Sequence, residues 1–142
     1  WHAKDYVEMQ WLMLQQEKAE DYVISTGRME TVRSFIEICA RRLNWNKTPQ
    51  GKAIIWEGEG INEVGRRSDT NEIVIRIDPR YFRPAEVDEL IGDSTKARLK
   101  FGWSPKISLE ELVEEMINED IKLSQKELNL IDKGFKVSRK YE

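Results

Sequence analysis

The stretch Ile73-Val74-Ile75-Arg76-Ile77-Asp78-Pro79-Arg80-Tyr81-Phe82-Arg83-Pro84-Ala85-Glu86 decides how this chain is read. Its first five residues are β-branched apart from Arg76 and predict a strand. Pro84 suits the first position of a helix continuing to residue 90. Two arginines, a tyrosine and a carboxylate therefore stand where a strand hands over to a helix. In open α/β sheets, ligands collect outside the carboxyl ends of strands. Arg83 can fork onto a phosphate, and Glu86 can accept hydrogen bonds from sugar hydroxyls. A nucleotide sugar suits that pair. A solvated loop, in which Glu86 only favours the helix N-terminus, also fits the spacing and is the simpler reading.

Outward from this loop the order is α/β. Residues 3 to about 17 predict a helix with apolar positions at Tyr6, Val7, Met9, Trp11, Leu12 and Leu14. Residues 22–26 read as a short strand closed by Gly27. Residues 31–43 predict an amphipathic helix whose stripe is Val32, Phe35, Ile36, Cys39, Ala40 and Leu43. Residues 53–56 read as a second strand, and 58–71 as a polar, glycine-bearing loop. Residues 94–101 predict a short helix. Ser108-Leu109-Glu110-Glu111 is a capping box that opens a last helix running to about residue 126. The remainder, 128–142, reads as a charged, loose tail.

Composition narrows the function classes. The chain has 142 residues, 39% hydrophobic and 35% charged, with a net charge of −3. A nucleic-acid surface would be basic, so that partner is not expected. One cysteine, Cys39, allows no intrachain disulfide and does not call for an oxidising compartment. No apolar run approaches a membrane span, so no membrane partner is expected either. His2 is the only histidine, which leaves little room for a zinc site or a Ser-His-Asp arrangement. Cys39 lies on an apolar stripe and reads as a packed thiol. Glu57, Glu59 and Glu63 could pair for acid/base work, but a solvated loop is the plainer reading. Arg66 and Arg67 form a basic pair after Gly65.

Several segments carry a family resemblance: His2-Ala3-Lys4-Asp5-Tyr6-Val7-Glu8, Asp21-Tyr22-Val23-Ile24-Ser25-Thr26-Gly27 and Asn62-Glu63-Val64-Gly65-Arg66. Asp78 through Glu86, Gly92-Asp93-Ser94-Thr95-Lys96-Ala97 and Gly102-Trp103-Ser104-Pro105 complete the set. With these the chain resembles the C-terminal part of the GDP-mannose 4,6-dehydratases, extended short-chain dehydrogenase/reductases, from residue 2 to about 120. The 78–86 loop is the most family-specific segment. The family's Tyr-x-x-x-Lys pair has no match: Gln10 follows Tyr6 at the fourth position, Thr26 follows Tyr22 and Ala85 follows Tyr81. Gly58-Glu59-Gly60-Ile61-Asn62-Glu63 begins like a dinucleotide fingerprint but puts Glu63 at the third glycine. The family pattern also has a glycine between Trp1 and His2, and none stands here.

The resemblance implies a fold class and a role. The fold is α/β, the C-terminal part of an extended short-chain dehydrogenase (NAD(P)-binding Rossmann-like) fold lacking most of the Rossmann domain. Residues 1–127 form the substrate-binding part, with about 1–28 and 84–103 packing on the Rossmann domain, and 128–142 form the tail. The whole enzyme is implied to be a cytoplasmic lyase, and a homo-oligomer, converting GDP-mannose to GDP-4-keto-6-deoxymannose. NADP carries the hydride from C4 and returns it to C6 after water is lost across C5 and C6. NADP and every catalytic group are implied to lie in the absent half, so this chain alone is expected to be inactive. It would contribute the GDP side of the site: Arg83 on the diphosphate and Glu86 on the ribose hydroxyls. Arg66 would stand in the cleft, and Tyr81 against the nucleotide or in the core. A non-catalytic binding or interaction module, and a dehydratase or epimerase for another nucleotide sugar, remain alternatives.

Overall fold

The computed structural model describes residues 1–83 and 89–137. The described residues form four α-helices and one three-stranded antiparallel sheet: α1 (Ala3–Leu14), α2 (Val32–Arg42), β1 (Ile54–Glu57), β2 (Val64–Arg67), β3 (Ile73–Arg76), α3 (Thr95–Phe101) and α4 (Leu109–Asp132). The sheet is a meander in the order β1-β2-β3. The architecture is thus α/β in the broad sense, with an antiparallel sheet.

The meander explains the first correction. Residues 58–71 were expected to be loop, yet they contain the central strand. Val64-Gly65-Arg66-Arg67 has one apolar side chain, too few for a pattern. Gly65 is there because the sheet leaves no room: an added Cβ would sit 2.9 Å from Ile75 Cδ1 and 3.1 Å from Ile54 Cγ2. The turn into β3 closes with Asn71 at φ 62°, a left-handed conformation that asparagine tolerates.

α2 organises the larger unit. Its N-terminus is capped by Thr31, whose hydroxyl accepts from Ser34 N at 3.0 Å. One side of the helix, Ile36 and Ala40, packs on Ala53, Ile54, Trp56 and Ile75 of the sheet side. The other, Phe35, Ile38, Cys39 and Leu43, packs on Leu109, Val113 and Ile117 of α4. The predicted stripe is therefore split between two partners, and Val32 is left outside both, 77% exposed. α4 opens with the expected capping box: Ser108 N donates to Glu111 Oε2 at 2.7 Å and Glu111 N donates to Ser108 Oγ at 3.1 Å. Those bonds to Ser108 hold the Glu111 carboxyl below its usual range. α4 runs beyond residue 126 because Leu128, Leu130 and Ile131 keep its apolar spacing. It stops at Gly134, φ 82°, where Gly134 N bonds Ile131 O and Phe135 N bonds Leu130 O.

The smaller unit joins α1, the segment after it and α3. Met9, Ala97 and Trp103 are buried, with Leu12, Met13, Tyr22, Ile24 and Phe101 against them. Residues 22–26 form no strand ladder among the described residues. Their alternation is nevertheless real: Tyr22 and Ile24 pack inward while Val23 is exposed. The segment lies against residue 92, where a Cβ would meet Ser25 Cβ at 2.8 Å, and Ser25 Oγ donates to Gly92 O. Asp5, 3% exposed, bolts this unit to the approach of α4. Its carboxylate accepts from Ile107 N at 3.1 Å and its carbonyl from Trp103 Nε1 at 3.2 Å.

Candidate functional site

β3 leads directly into the arginine loop. Asp78 caps a 3-10 turn, Pro79–Tyr81, accepting from Arg80 N at 2.9 Å. The same carboxylate takes Arg80 Nε at 3.0 Å and Nη2 at 2.6 Å. Arg80 holds the Asp78 carboxyl below the usual range, and Asp78 in turn raises Arg80. The Arg80 guanidinium also lies 5.5 Å from the centre of the Tyr81 ring. Arg80 is thereby committed within its own turn. Tyr81 is 76% exposed, which removes the core reading and leaves its ring facing outward. Arg83 is exposed at the end of the described loop. Glu86, and the helix expected from Pro84, fall among residues 84–88, outside the described residues; residues 89 and 90 are not helical.

Arg66 stands on the sheet face turned away from α2. It is registered with Ile55, the exposed neighbour of buried Ile54. Its Nε donates to Glu57 Oε2 at 2.8 Å and its Nη1 to Asn71 O at 3.2 Å. Val64 is registered with Arg76, so the loop leaves β3 beside the start of β2. Arg66 lies two positions further along β2, about 7 Å at the rise of a strand. Arg66 is registered with Ile73, the first residue of β3, and so stands toward the β2–β3 turn, at the opposite end of β3 from the loop.

Two of the three carboxylates of the 57–63 segment are used structurally. Glu57 pairs with Arg66 and Glu63 with Arg33 at 2.6 Å. Arg33 also lies 4.3 Å over the Trp56 ring, while Trp56 Nε1 donates to Glu37 Oε1 at 3.1 Å. Burial pushes the Cys39 thiol up, away from nucleophilic use. His2 caps α1 by accepting from Lys4 N at 3.0 Å, and its Nε2 meets Glu115 at 3.1 Å. A feature the sequence reading missed is a hollow of about 210 Å³ bordered by Trp1, Thr26, Arg28 and the 105–109 segment. Trp1 Nε1 donates to Thr26 Oγ1 at its wall. Its cations are engaged, Arg28 with Glu30 and Lys106 with Glu8. Only the Ser25-Thr26-Gly27 match pointed toward it.

The glycines that resemble a dinucleotide fingerprint do not form one. Gly58 has φ 85°, and a Cβ there would meet Asn62 O at 2.7 Å. The space that Gly58 keeps open is filled by its own loop, and a 3-10 turn, Gly60–Asn62, follows where the fingerprint needs a helix. The Gly58 loop therefore does not form a dinucleotide-binding turn. No helix among them is long and apolar enough to cross a membrane.

Comparison with known proteins falls on the segments that form these features. The family model described as GDP-mannose 4,6 dehydratase matches residues 1–116. The human GDP-mannose 4,6 dehydratase is 47% identical over 122 residues, covering 86% of this chain and 31% of its own length. The Vibrio cholerae GDP-mannose 4,6-dehydratase is 44% identical over 135 residues, covering 88% and 34%. That of Yersinia enterocolitica is 43% identical over 147 aligned positions, covering 96% and 38%. The chain spans about a third of the length of the curated relatives it matches, and it belongs to the GDP-mannose 4,6-dehydratase family.

Proposed function

We propose that this chain forms the GDP-binding side of the substrate cleft in a GDP-mannose 4,6-dehydratase, a lyase that forms GDP-4-keto-6-deoxymannose. The observation that carries the reading is the Asp78-capped turn at the carboxyl end of β3. It fixes the backbone that presents Arg83 as the chain leaves β3. Asp78 already occupies Arg80, and the family match falls on Arg83 and Glu86. In this reading Arg83 contacts the diphosphate and Glu86 the ribose hydroxyls. Tyr81 offers its exposed ring to the nucleotide, and Arg66 would reach the cleft only from the β2–β3 turn.

The rest of the reading comes from the family. The fold would be the C-terminal part of a Rossmann-like extended dehydrogenase, in a cytoplasmic homo-oligomer. NADP would be held by residues other than these, since the Gly58 loop does not fit it. The unit of α1 and α3 would pack on the dinucleotide-binding part. Its bare apolar face and the chain's large surface support this: 11425 Å² is accessible, against about 7,700 Å² for a compact monomer of this mass.

The test is calorimetric titration of GDP-mannose into the full-length protein. Arg83→Ala removes a charge-assisted bond worth about 1.5–3 kcal/mol, so affinity should fall roughly tenfold to a hundredfold. Arg83→Lys should restore only part, because an ammonium cannot fork. Glu86→Gln should cost less and leave NADP affinity alone. Unchanged affinity in a folded Arg83→Ala protein would return the loop to a solvated turn.

A further inference from the structure

The second half of α4 carries an apolar seam that the rest of the fold does not cover. The matched family segment ends at residue 116, and the seam starts immediately after it. Ile117, Ile121, Ser124, Leu128, Ile131 and Phe135 recur at alternating spacings of four and three, the seam of a two-helix coiled coil. Ile117 is buried against α2, whereas Ile121, Leu128, Ile131 and Phe135 are between 41% and 62% exposed. Phe135 lies beyond the helix but is turned back by the Gly134 termination, so it borders one groove with Leu128 and Ile131.

We propose that this seam pairs with the same seam of a second copy of the chain, antiparallel and about a two-fold axis at residue 126. The register follows from the residues. With the axis there, Ile121 faces Ile131 of the second copy and Ser124 faces its Leu128. Phe135 of the second copy then falls at Ile117, where Leu43, Ile117, Ile121 and Leu128 border a hollow of about 270 Å³. Every apolar residue of the seam finds an apolar or small partner, and the contact is self-complementary, as a two-fold interface requires.

Charge and bulk favour this direction over the parallel one. On the seam's flanks are Asn118, Asp120, Gln125, Glu127 and Asp132, and among the described residues none of these carboxylates has an ion-pair partner. In the antiparallel register Asp132 meets Asn118 and Asp120 meets Gly134, and the one like-charge contact is Glu127 with its own symmetry mate. A parallel pair would set Glu127 against Asp132 twice and bring both globular bodies to one end. The shared stretch from Ile121 to Ile131 is only about 15 Å long. That is short of the roughly 800 Å² per partner of a standard stable interface, so the pair should be weak and reversible.

Cysteine pairing reads the register directly and ignores any other sticky surface. Both proteins carry Cys39→Ala; one adds Ile121→Cys and the other Ile131→Cys, both at half-exposed positions that tolerate change. Mixed and mildly oxidised, they should form the 121–131 heterodimer at least five times more than either homodimer. Homodimers in equal or greater yield, or no cross-link at all, would overturn the proposal. Sedimentation supplies the second arm, in a Trp11→Gln, Leu14→Gln background that blunts the other bare apolar face: Leu128→Glu should weaken association at least tenfold with helicity unchanged, and Glu127→Gln should strengthen it. Asp132→Asn should leave it alone. Association untouched by Leu128→Glu, or strengthened by Asp132→Asn, contradicts the register.

Discussion

The unit of α2, the sheet and the first half of α4 differs from the unit of α1, residues 20–26 and α3 in how its core is closed. In the first, α2 is covered on two sides, and Ala40, Ala53, Ile54, Leu109 and Val113 are all below 5% exposed. In the second, Met9, Ala97 and Trp103 are just as buried, yet Trp11 is 59%, Leu14 82% and Leu99 83% exposed. The smaller unit is half a core. Its inner residues pack on one another, while its outer apolar residues lie exposed. An element can be correctly folded in detail and still depend on a neighbour for most of its stability.

The largest expected effect separates the two units by mutation. Ile54→Ala removes fully buried bulk from the closed core and should cost about 2–5 kcal/mol, read as a fall in the unfolding midpoint of the Trp45 and Trp56 indole N–H resonances. Met9→Ala removes a side chain just as buried. Read by the same two tryptophans it should shift the midpoint by less than about 1 kcal/mol, because the half-core does not set the stability of the other unit. Equal costs would mean that the units fold as one.

A smaller effect sharpens the same contrast from outside. Trp11→Gln and Leu14→Gln change exposed residues, so the folded chain should lose under about 0.5 kcal/mol. Sedimentation of the isolated chain should nevertheless show less association, since these side chains form the bare face. A double variant that associates as before would show that this face is not sticky.

The smallest effect concerns Glu20, which ties residues 20–26 to α3. Its carboxylate meets Lys100 at 2.7 Å and Lys96 at 2.9 Å. Hydrogen bonds from Lys100 first, then Lys96, lower its pKa to about 2 from the ordinary 4.5. A depressed acid pKa stabilises the fold above the unfolded value and loses that contribution as pH falls through the folded one. The tie should therefore hold above pH 4.5 and weaken between 4.5 and 2, modestly, because the group is exposed and screened. Tyr22 resonances of Glu20→Gln at neutral pH should match those of the native chain near pH 2. A Tyr22 environment that does not respond over this window argues against the tie.

Much of this was legible in the sequence, and the failures have physical causes. The capping box of α4 and the apolar stripe of α2 are local patterns, and both formed, though the stripe is divided between two partners and leaves Val32 outside. Val64-Gly65-Arg66-Arg67 escaped because its strand character lies in a space constraint, the approach of Ile54 and Ile75 to Gly65, and not in apolar alternation. Residues 22–26 erred the other way. Tyr22 and Ile24 do pack inward with Val23 exposed between them, but a strand also needs a ladder partner, which no single segment reveals. α4 outran its predicted end because its stop is a glycine turn at 134, beyond polar residues that read as a tail. At the site, Asp78 caps a turn and folds its carboxylate back onto Arg80, an arrangement that becomes visible only in three dimensions.

Hydrogen exchange on the isolated chain tests the contrast between a closed core and a half-core most directly. Amides of α2, β1–β3 and residues 109–117 of α4 should exchange only through opening close to global unfolding. Those of α1, residues 20–26 and α3 should exchange at least a hundredfold faster. Uniform protection across both units would contradict the account.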